Sequence, residues 1–266
     1  MDLDPIYKAS IQKALNERAN QSLAPDGVFG LKTVSAIKAY QALNKLPLSG
    51  TYDVATANLL DPFIRQKFLT FNSILKASVD LNVSAAHVRT VCDVESNGSG
   101  FFADGRVKIL FERHHFLKAL QARYSAAKVA ELMKQNPDII SATSGGYLVG
   151  ANEYMRFDRA CKIDQQAAIY ATSFGLFQIM GFNHEFAGFS DMSSFYNAML
   201  QSETSHLNAF VSFNKKYVKG RLQAYLAKED WANYALTYNG PAYAKNKYDT
   251  KLATSYAKYK KDVYAF

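Results

Sequence analysis

The sequence has few of the residues that define disulfide-rich or metal-binding proteins. Its 266 residues include two cysteines, Cys92 and Cys161, which lie far apart and are interpreted as core thiols rather than as a disulfide or a metal site. No HExxH pattern and no array of cysteine and histidine accompanies the adjacent His114 and His115. We therefore expect no metal and no cofactor.

Long apolar runs and a secretory leader are also absent. No uninterrupted apolar stretch reaches membrane-spanning length, and the N-terminal residues lack a basic segment followed by an apolar one. We therefore expect a protein that is made in the cytoplasm without a signal peptide. Its export would then depend on another protein.

Hydrophobic and basic residues are abundant. Hydrophobic residues make up 48% of the chain and only six residues are proline, which allows a full core in one large domain and one small domain. The formal net charge of +8 indicates an anionic partner, such as nucleic acid, an acidic membrane face or an acidic cell-wall polymer. Because no nucleic-acid-binding motif is present, we expect no nucleic-acid partner. We also expect the protein to be a monomer.

The first sixty residues contain a repeated turn. The segments GVFGLKT (27–33) and GTYDVAT (50–56) share a glycine, an aromatic residue and a threonine at the same spacing. Each copy leads into a helix, and the second helix is predicted to span Val54–Leu60. With the helix predicted from Ile6 to Arg18, this gives a three-helix unit whose predicted core includes Leu43 and Leu59.

This unit resembles a known wall-binding module. Ile11-Gln12, Pro25-Asp26-Gly27-Val28-Phe29-Gly30 with Thr33, and Leu48-Ser49-Gly50-Thr51-Tyr52 resemble the three-helix peptidoglycan-binding domain that is often joined to wall-degrading enzymes. Two positions depart from the family: Ser49, where it usually has aspartate, and Asp53, where it usually has glycine. The resemblance implies a first domain over residues 1–62 that binds peptidoglycan glycan strands, followed by a second domain over residues 63–266. A helical packing module without a ligand is the alternative.

One helix of the second domain carries a candidate acid. Val88, Val91, Cys92 and Glu95 share one face of a helix that is predicted to begin after Ser84, so Glu95 lies on the apolar stripe. In the last turn of a helix, desolvation and the helix dipole both favour the protonated carboxyl. Such a group can act as a general acid near neutral pH. The alternative is a structural glutamate that turns to solvent or pairs with a basic residue.

A second carboxylate follows at the end of a predicted strand. Val107, Ile109 and Phe111 alternate with Lys108, Leu110 and Glu112, which predicts a short strand that ends near Glu112. A helix end and a nearby strand end can place two carboxylates across a groove, as glycoside hydrolysis requires. Asp93 and Asp104 are the substitutes for this role. The alternative for Glu112 is an ion pair with one of two neighbouring arginines, Arg106 or Arg113.

Three separated motifs resemble one enzyme superfamily. Glu95-Ser96-x-Gly98, Ser173-x-Gly175-Leu176-x-Gln178-Ile179 and Tyr238-Asn239-Gly240 resemble the lysozyme branch that includes goose-type lysozymes and soluble lytic transglycosylases. The segment Ile109–Phe116 is more narrowly similar to the N-acetylmuramidase domain of endolysins from phages of Gram-negative bacteria. The implied fold is mainly α, with the small three-helix wall-binding domain and a larger lysozyme-like α-rich domain that contains a short β element.

The resemblance also implies a role for each matching position. Glu95 is implied to be the general acid that protonates the oxygen between N-acetylmuramic acid and N-acetylglucosamine, and Glu112 to be the second carboxylate. Four further residues are implied to line the glycan cleft: Ser173, Gln178, Tyr238 and Asn239. The implied protein is a glycoside hydrolase that acts on peptidoglycan in the periplasm after holin-type release. The alternatives are a lytic transglycosylase with 1,6-anhydro products and a non-catalytic peptidoglycan-binding structural protein.

The predicted last helix, Tyr243–Phe266, combines six lysines with interleaved tyrosines. Two interpretations remain open. The helix contacts an anionic outer-membrane surface, or its tyrosines pack on the catalytic domain while its lysines face solvent.

Overall fold

The computed structural model of the chain describes residues 5–96 and 99–261. Positions 97 and 98 of the Glu95 motif and the predicted helical residues 262–266 lie outside the described residues. The described residues form thirteen α-helices and one three-stranded antiparallel sheet, and none of these helices is both long and apolar enough to cross a membrane. The elements are α1 (Pro5–Arg18), α2 (Leu31–Leu43), α3 (Val54–Lys67), α4 (Phe71–Leu81), α5 (Ala85–Ser96), β1 (Ile109–Phe111), α6 (Arg113–Gln121), α7 (Ala126–Gln135), α8 (Glu153–Tyr170), β2 (Thr172–Phe174), β3 (Ile179–Met180), α9 (Met192–Gln201), α10 (Glu203–Lys216), α11 (Arg221–Ala227), α12 (Trp231–Asn239) and α13 (Tyr248–Tyr259).

Helices α1 to α3 pack around a small core, but two details of the sequence prediction are wrong. Leu43 and Leu59 are 67% and 49% exposed, so they lie outside this core. The third helix does not end at Leu60 but continues through Pro62 to Lys67. Proline removes one backbone hydrogen bond from a helix. Here Leu60 and Ile64, both fully buried, hold the turns on either side of it against the core.

Two buried glutamines build the repeated turns. The side-chain oxygen of Gln12 accepts a hydrogen bond from the N–H of Gly27 at 2.8 Å, and that of Gln41 accepts one from Gly50 at 3.0 Å. In the second turn, the Ser49 hydroxyl donates to the carboxylate of Asp53 at 2.8 Å, and Asp53 also caps α3. The Ser49 hydroxyl oxygen takes the place of the Asp26 carboxylate of the first turn, because the Gln41 amide donates to it at 2.9 Å as the Gln12 amide donates to Asp26 at 2.9 Å.

A buried ion pair joins the three-helix unit to the rest of the chain. Glu203 is fully buried at the start of α10, and its carboxylate accepts hydrogen bonds from the Lys13 ammonium of α1 at 2.7 and 3.0 Å. The same carboxylate accepts hydrogen bonds from the N–H groups of Leu69 at 3.1 Å and Gly100 at 2.9 Å. One side chain therefore connects α1, the segment between α3 and α4, and the loop that follows α5.

A buried histidine one turn further along α10 supports the same loop and the β2–β3 hairpin. Burial lowers the pKa of His206 to about 4, so the ring is neutral at physiological pH. Its Nε2–H donates to the Met199 carbonyl at 2.7 Å, and its Nδ1 accepts from the Leu176 N–H at 3.1 Å. The ring fills the space beside Gly100 and Gly175, where an added Cβ would lie within 2.6 and 2.8 Å of ring atoms. Both chain segments approach the ring closely because they lack side chains there.

The small sheet brings distant segments together. Leu110 of β1 lies opposite Ser173 of β2, and β2 pairs in turn with β3 through a tight hairpin. The N–H of Glu112 continues the β1 ladder by donating to the Ala171 carbonyl at 2.9 Å. The backbone of Glu112 is therefore fixed by the sheet.

Helix α13 packs its tyrosines against α5, which agrees with the second interpretation of the C-terminal segment. The Tyr256 ring is buried, with its centroid 4.4 Å from that of His87 and 5.2 Å from that of Trp231. The helix begins at Tyr248, later than predicted, and its Ser255 hydroxyl donates to Asp93 of α5 at 2.9 Å. Six lysines in and around it are exposed: Lys245, Lys247, Lys251, Lys258, Lys260 and Lys261.

Candidate active site

Glu95 lies half-buried in the last turn of α5, where α12 meets it. The side-chain amide of Asn239, the last residue of α12, donates to both carboxylate oxygens of Glu95 at 3.1 Å each. The structure therefore brings together two residues that the sequence assigned to one site.

The surroundings of Glu95 favour its protonated form. Burial raises the pKa of Glu95 from its ordinary value of 4.5 to about 7, although the Asn239 amide and the positive charge of Lys251 act in the opposite direction. The pKa values of Tyr234 and Tyr238 are also raised, mainly by their own burial and then by the nearby charge of Glu95. A carboxyl with a pKa near 7 can donate a proton at neutral pH.

The raised pKa of Glu95 makes a prediction about pH dependence. Because a general acid works only while protonated, kcat/KM on solubilised peptidoglycan is expected to fall as the pH rises through about 7. Lys251→Met should shift this alkaline limb to higher pH, because the Lys251 charge lowers the pKa of Glu95. Lys258→Met, which removes another exposed lysine of the same helix, is the matched control and should leave the limb in place. An alkaline limb near pH 4.5 would contradict the assignment.

Glu112 directly follows β1 and has two polar neighbours. The Tyr147 hydroxyl lies 2.9 Å from Oε1 and 3.0 Å from Oε2 of Glu112, and Nδ1 of His114 lies 3.3 Å from Oε2. Tyr147 was not predicted from the sequence, because it lies in an irregular loop far from Glu112 in the chain. The only local signal was a tyrosine next to two glycines, Gly145 and Gly146.

The arginines that could pair with Glu112, and the carboxylates that could replace it, have other partners. Arg106 pairs with Asp104 at 2.6 Å, and Arg113 donates to the Thr143 carbonyl at 2.7 Å. Asp93, the other substitute carboxylate, is exposed on α5 and accepts the hydrogen bond from α13. These contacts leave Glu112 as the best candidate for the second carboxylate.

Ser173 and Gln178 meet inside the β2–β3 hairpin. The Ser173 hydroxyl donates to the side-chain oxygen of Gln178 at 2.9 Å, and the Gln178 amide donates to the Gly175 carbonyl at 2.8 Å. Gln178 has a φ of +48°, in the left-handed region, which its own side-chain hydrogen bond to the turn helps to hold. Both side chains therefore brace the hairpin, and the partly exposed Gln178 stands at its surface.

Tyr238 connects the Glu95 region to this hairpin. Its hydroxyl donates to the Phe177 carbonyl at 2.8 Å, and its ring stacks on that of Tyr234 with centroids 5.8 Å apart. The hairpin is therefore held by α12 on one side and by β1, which Glu112 directly follows, on the other. Over residues 5–96 and 99–261, no group of three or more His, Cys, Asp or Glu side chains could hold a metal ion.

Family models match both parts of the chain. The N-acetylmuramidase model matches residues 84–260, and a peptidoglycan binding domain model matches residues 9–60. No curated protein matches the sequence. Among solved structures, the chain is similar to the crystal structure of an endolysin from Burkholderia phage AP3, with 36% sequence identity, a TM-score of 0.68 and coverage of 96% of each chain.

Proposed function

This chain belongs to the N-acetylmuramidase family, and we propose that it hydrolyses the β-1,4 bond between N-acetylmuramic acid and N-acetylglucosamine, with Glu95 and Glu112 as the catalytic pair. The chain is a peptidoglycan hydrolase with an N-terminal peptidoglycan-binding domain. The observation that carries the proposed mechanism is the half-buried Glu95, with its pKa near 7 and its contact with Asn239.

In the proposed reaction, Glu95 gives its proton to the glycosidic oxygen as the bond to the anomeric carbon breaks. Glu112 takes a proton from water, whose oxygen attacks that carbon from the opposite face. Glu95 ends the step ionised and Glu112 ends it protonated, and exchange with solvent restores both. The Asn239 amide, which donates to both Glu95 oxygens, stabilises the carboxylate that remains after proton transfer.

The remaining predicted residues are proposed to form the cleft wall between the two carboxylates. Gln178 and Asn239 are both partly exposed, and we propose that both border the cleft. The side-chain oxygen of Gln178 accepts one hydrogen bond from Ser173 and can accept a second from a sugar hydroxyl, whereas the Asn239 amide is held by Glu95. The hydroxyl groups of Ser173 and Tyr238 donate their protons to other groups of the protein. We therefore propose that these two residues maintain the shape of the cleft wall and do not bind the sugar directly.

The role of Glu112 can be tested by removing its carboxylate. Glu112→Ala is expected to lower kcat on purified peptidoglycan by roughly 10²–10⁴-fold, as is typical when a general base is lost. Sodium azide should restore bond cleavage, because azide attacks without giving up a proton, and mass spectrometry should then detect a muramyl azide. Glu131→Ala, which removes an exposed glutamate of α7, is the control and should keep full activity. Full turnover by Glu112→Ala would exclude Glu112 as the base.

The setting of the reaction is also part of this proposal. We propose that residues 1–62 hold the glycan strand, that the chain acts as a monomer, and that it reaches the periplasm after holin-type release. The peptidoglycan-binding match and the likeness to a phage endolysin support this setting. The tyrosines of α13 pack against α5 and leave its six lysines exposed, so the two interpretations of this segment are compatible. We propose that these lysines contact the anionic outer-membrane surface, because cationic side chains are attracted to acidic headgroups.

A further inference from the structure

Among the described residues, the only side-chain hydroxyl that forms a hydrogen bond with Glu112 lies in the loop over residues 141–150. Tyr147 donates its single phenolic proton between the two carboxylate oxygens, at 2.9 and 3.0 Å. The Glu112 side chain is 16% exposed, so it remains open to solvent on one side. A shared donor fixes the rotation of a carboxylate and leaves one lone pair on each oxygen for another partner.

The loop is attached to the chain on both sides of Glu112. The buried Glu153 accepts the Leu148 N–H and pairs with Arg156 at 3.0 Å. Arg156 in turn donates to the carbonyl of Phe111, the residue before Glu112, at 3.1 Å. Arg113, the residue after Glu112, donates to the carbonyls of residues 143 and 144 at 2.7 and 3.0 Å. The loop and the end of β1 therefore form one connected unit.

The backbone of this loop is strained next to Tyr147. Val149 has a φ of +62° although it is β-branched and 77% exposed. Such a conformation is unfavourable for valine and persists only where neighbouring contacts impose it. Here the Leu148–Glu153 contact lies between Val149 and Tyr147 and can hold this conformation. The strained backbone therefore lies in the same segment as the Tyr147 hydroxyl that donates to Glu112.

We propose that Tyr147 is a positioning residue that sets the orientation of the Glu112 carboxylate toward the attacking water. This inference rests on the proposed role of Glu112 as the base. Burial, followed by the hydrogen bond to Glu112, raises the pKa of Tyr147 to about 12. The phenol therefore keeps its proton, and remains a donor, throughout the working pH range.

The variant Tyr147→Phe tests this proposal because it removes only the hydroxyl. We expect kcat to fall about tenfold while KM stays within about twofold, because a misoriented base slows the chemical step without removing a sugar contact. The matched control is Tyr124→Phe. Tyr124 is 38% exposed and donates to the Asp164 carboxylate at 2.9 Å, compared with 42% exposure for Tyr147. We expect this control to leave both kinetic constants unchanged.

A double variant separates positioning from a merely structural role. In a Glu112→Gln background, Tyr147→Phe should cause no further loss of kcat, because Tyr147 acts through the carboxylate. An equal loss in both backgrounds, or wild-type kcat in Tyr147→Phe while Glu112→Gln is impaired, would overturn the inference and leave the proposed function intact. Full turnover by Glu112→Gln itself would instead refute the proposed function, and this inference with it.

Discussion

Glu95→Gln is expected to lower kcat on peptidoglycan by roughly 10²–10⁴-fold, the range typical for the loss of a general acid. The amide has nearly the same shape as the carboxyl and keeps an oxygen that can accept the hydrogen bond from Asn239. It cannot give a proton to the leaving oxygen. The measurement is the rate of release of soluble glycan fragments, with Glu131→Gln as the surface control, since the Glu131 side chain is 52% exposed.

The same substitution should raise stability at alkaline pH. The raised pKa means that native Glu95 binds its proton more tightly than the unfolded chain does, so the stability of the wild type decreases as the pH rises from about 4.5 through about 7. Glutamine carries no charge to bury. Glu95→Gln should therefore have a higher Tm than the wild type at pH 8 and a similar Tm at pH 4. An inactive variant with a lower Tm at both pH values would mean that activity was lost through misfolding.

Lys13→Met is expected to reduce the free energy of unfolding by about 3–5 kcal/mol, because it leaves Glu203 as an unpaired, fully buried carboxylate. The loop at Gly100, which shares this carboxylate, follows the helix that carries Glu95. We therefore expect activity to fall together with stability. Chemical denaturation of the full chain measures the effect.

Two further variants show whether the effect belongs to the buried pair. Lys76→Met removes a lysine that pairs with Asp80 at the surface, where the Lys76 side chain is 71% exposed, and should cost at most about 1 kcal/mol. Lys13→Met combined with Glu203→Gln removes both charges and should regain a large part of the lost stability. If Lys13→Met is no more destabilising than Lys76→Met, the ion pair does not join the two parts of the molecule.

Features with a local cause could be predicted from the sequence. The apolar stripe of α5 and the break after it indicated a desolvated carboxyl at Glu95, and the structure has Glu95 half-buried with a pKa near 7. Alternation over Val107–Glu112 predicted a strand, of which Ile109–Phe111 pairs in the sheet. The mainly helical architecture with a short β element also agrees with the sequence prediction.

Features that depend on tertiary contacts could not be predicted. Proline usually ends a helix, but the buried Leu60 and Ile64 carry α3 through Pro62. No local pattern relates Lys13 to Glu203, because only the folded chain brings them within 2.7 Å. Tyr147 could not be predicted from the sequence either, because contacts with two arginines and a buried glutamate shape its loop. The proposed catalytic pair is therefore easier to predict from the sequence than the residues that hold it in place.

Mass spectrometry of the muropeptides released from purified peptidoglycan distinguishes hydrolysis by Glu95 and Glu112 from the alternative reactions. Hydrolysis by Glu95 and Glu112 predicts reducing N-acetylmuramic acid ends from the wild type, none from Glu95→Gln, and far fewer from Glu112→Gln. Products with 1,6-anhydro ends would instead show a transglycosylase that needs no water-activating base. Undiminished release by Glu95→Gln would contradict the assignment of the acid.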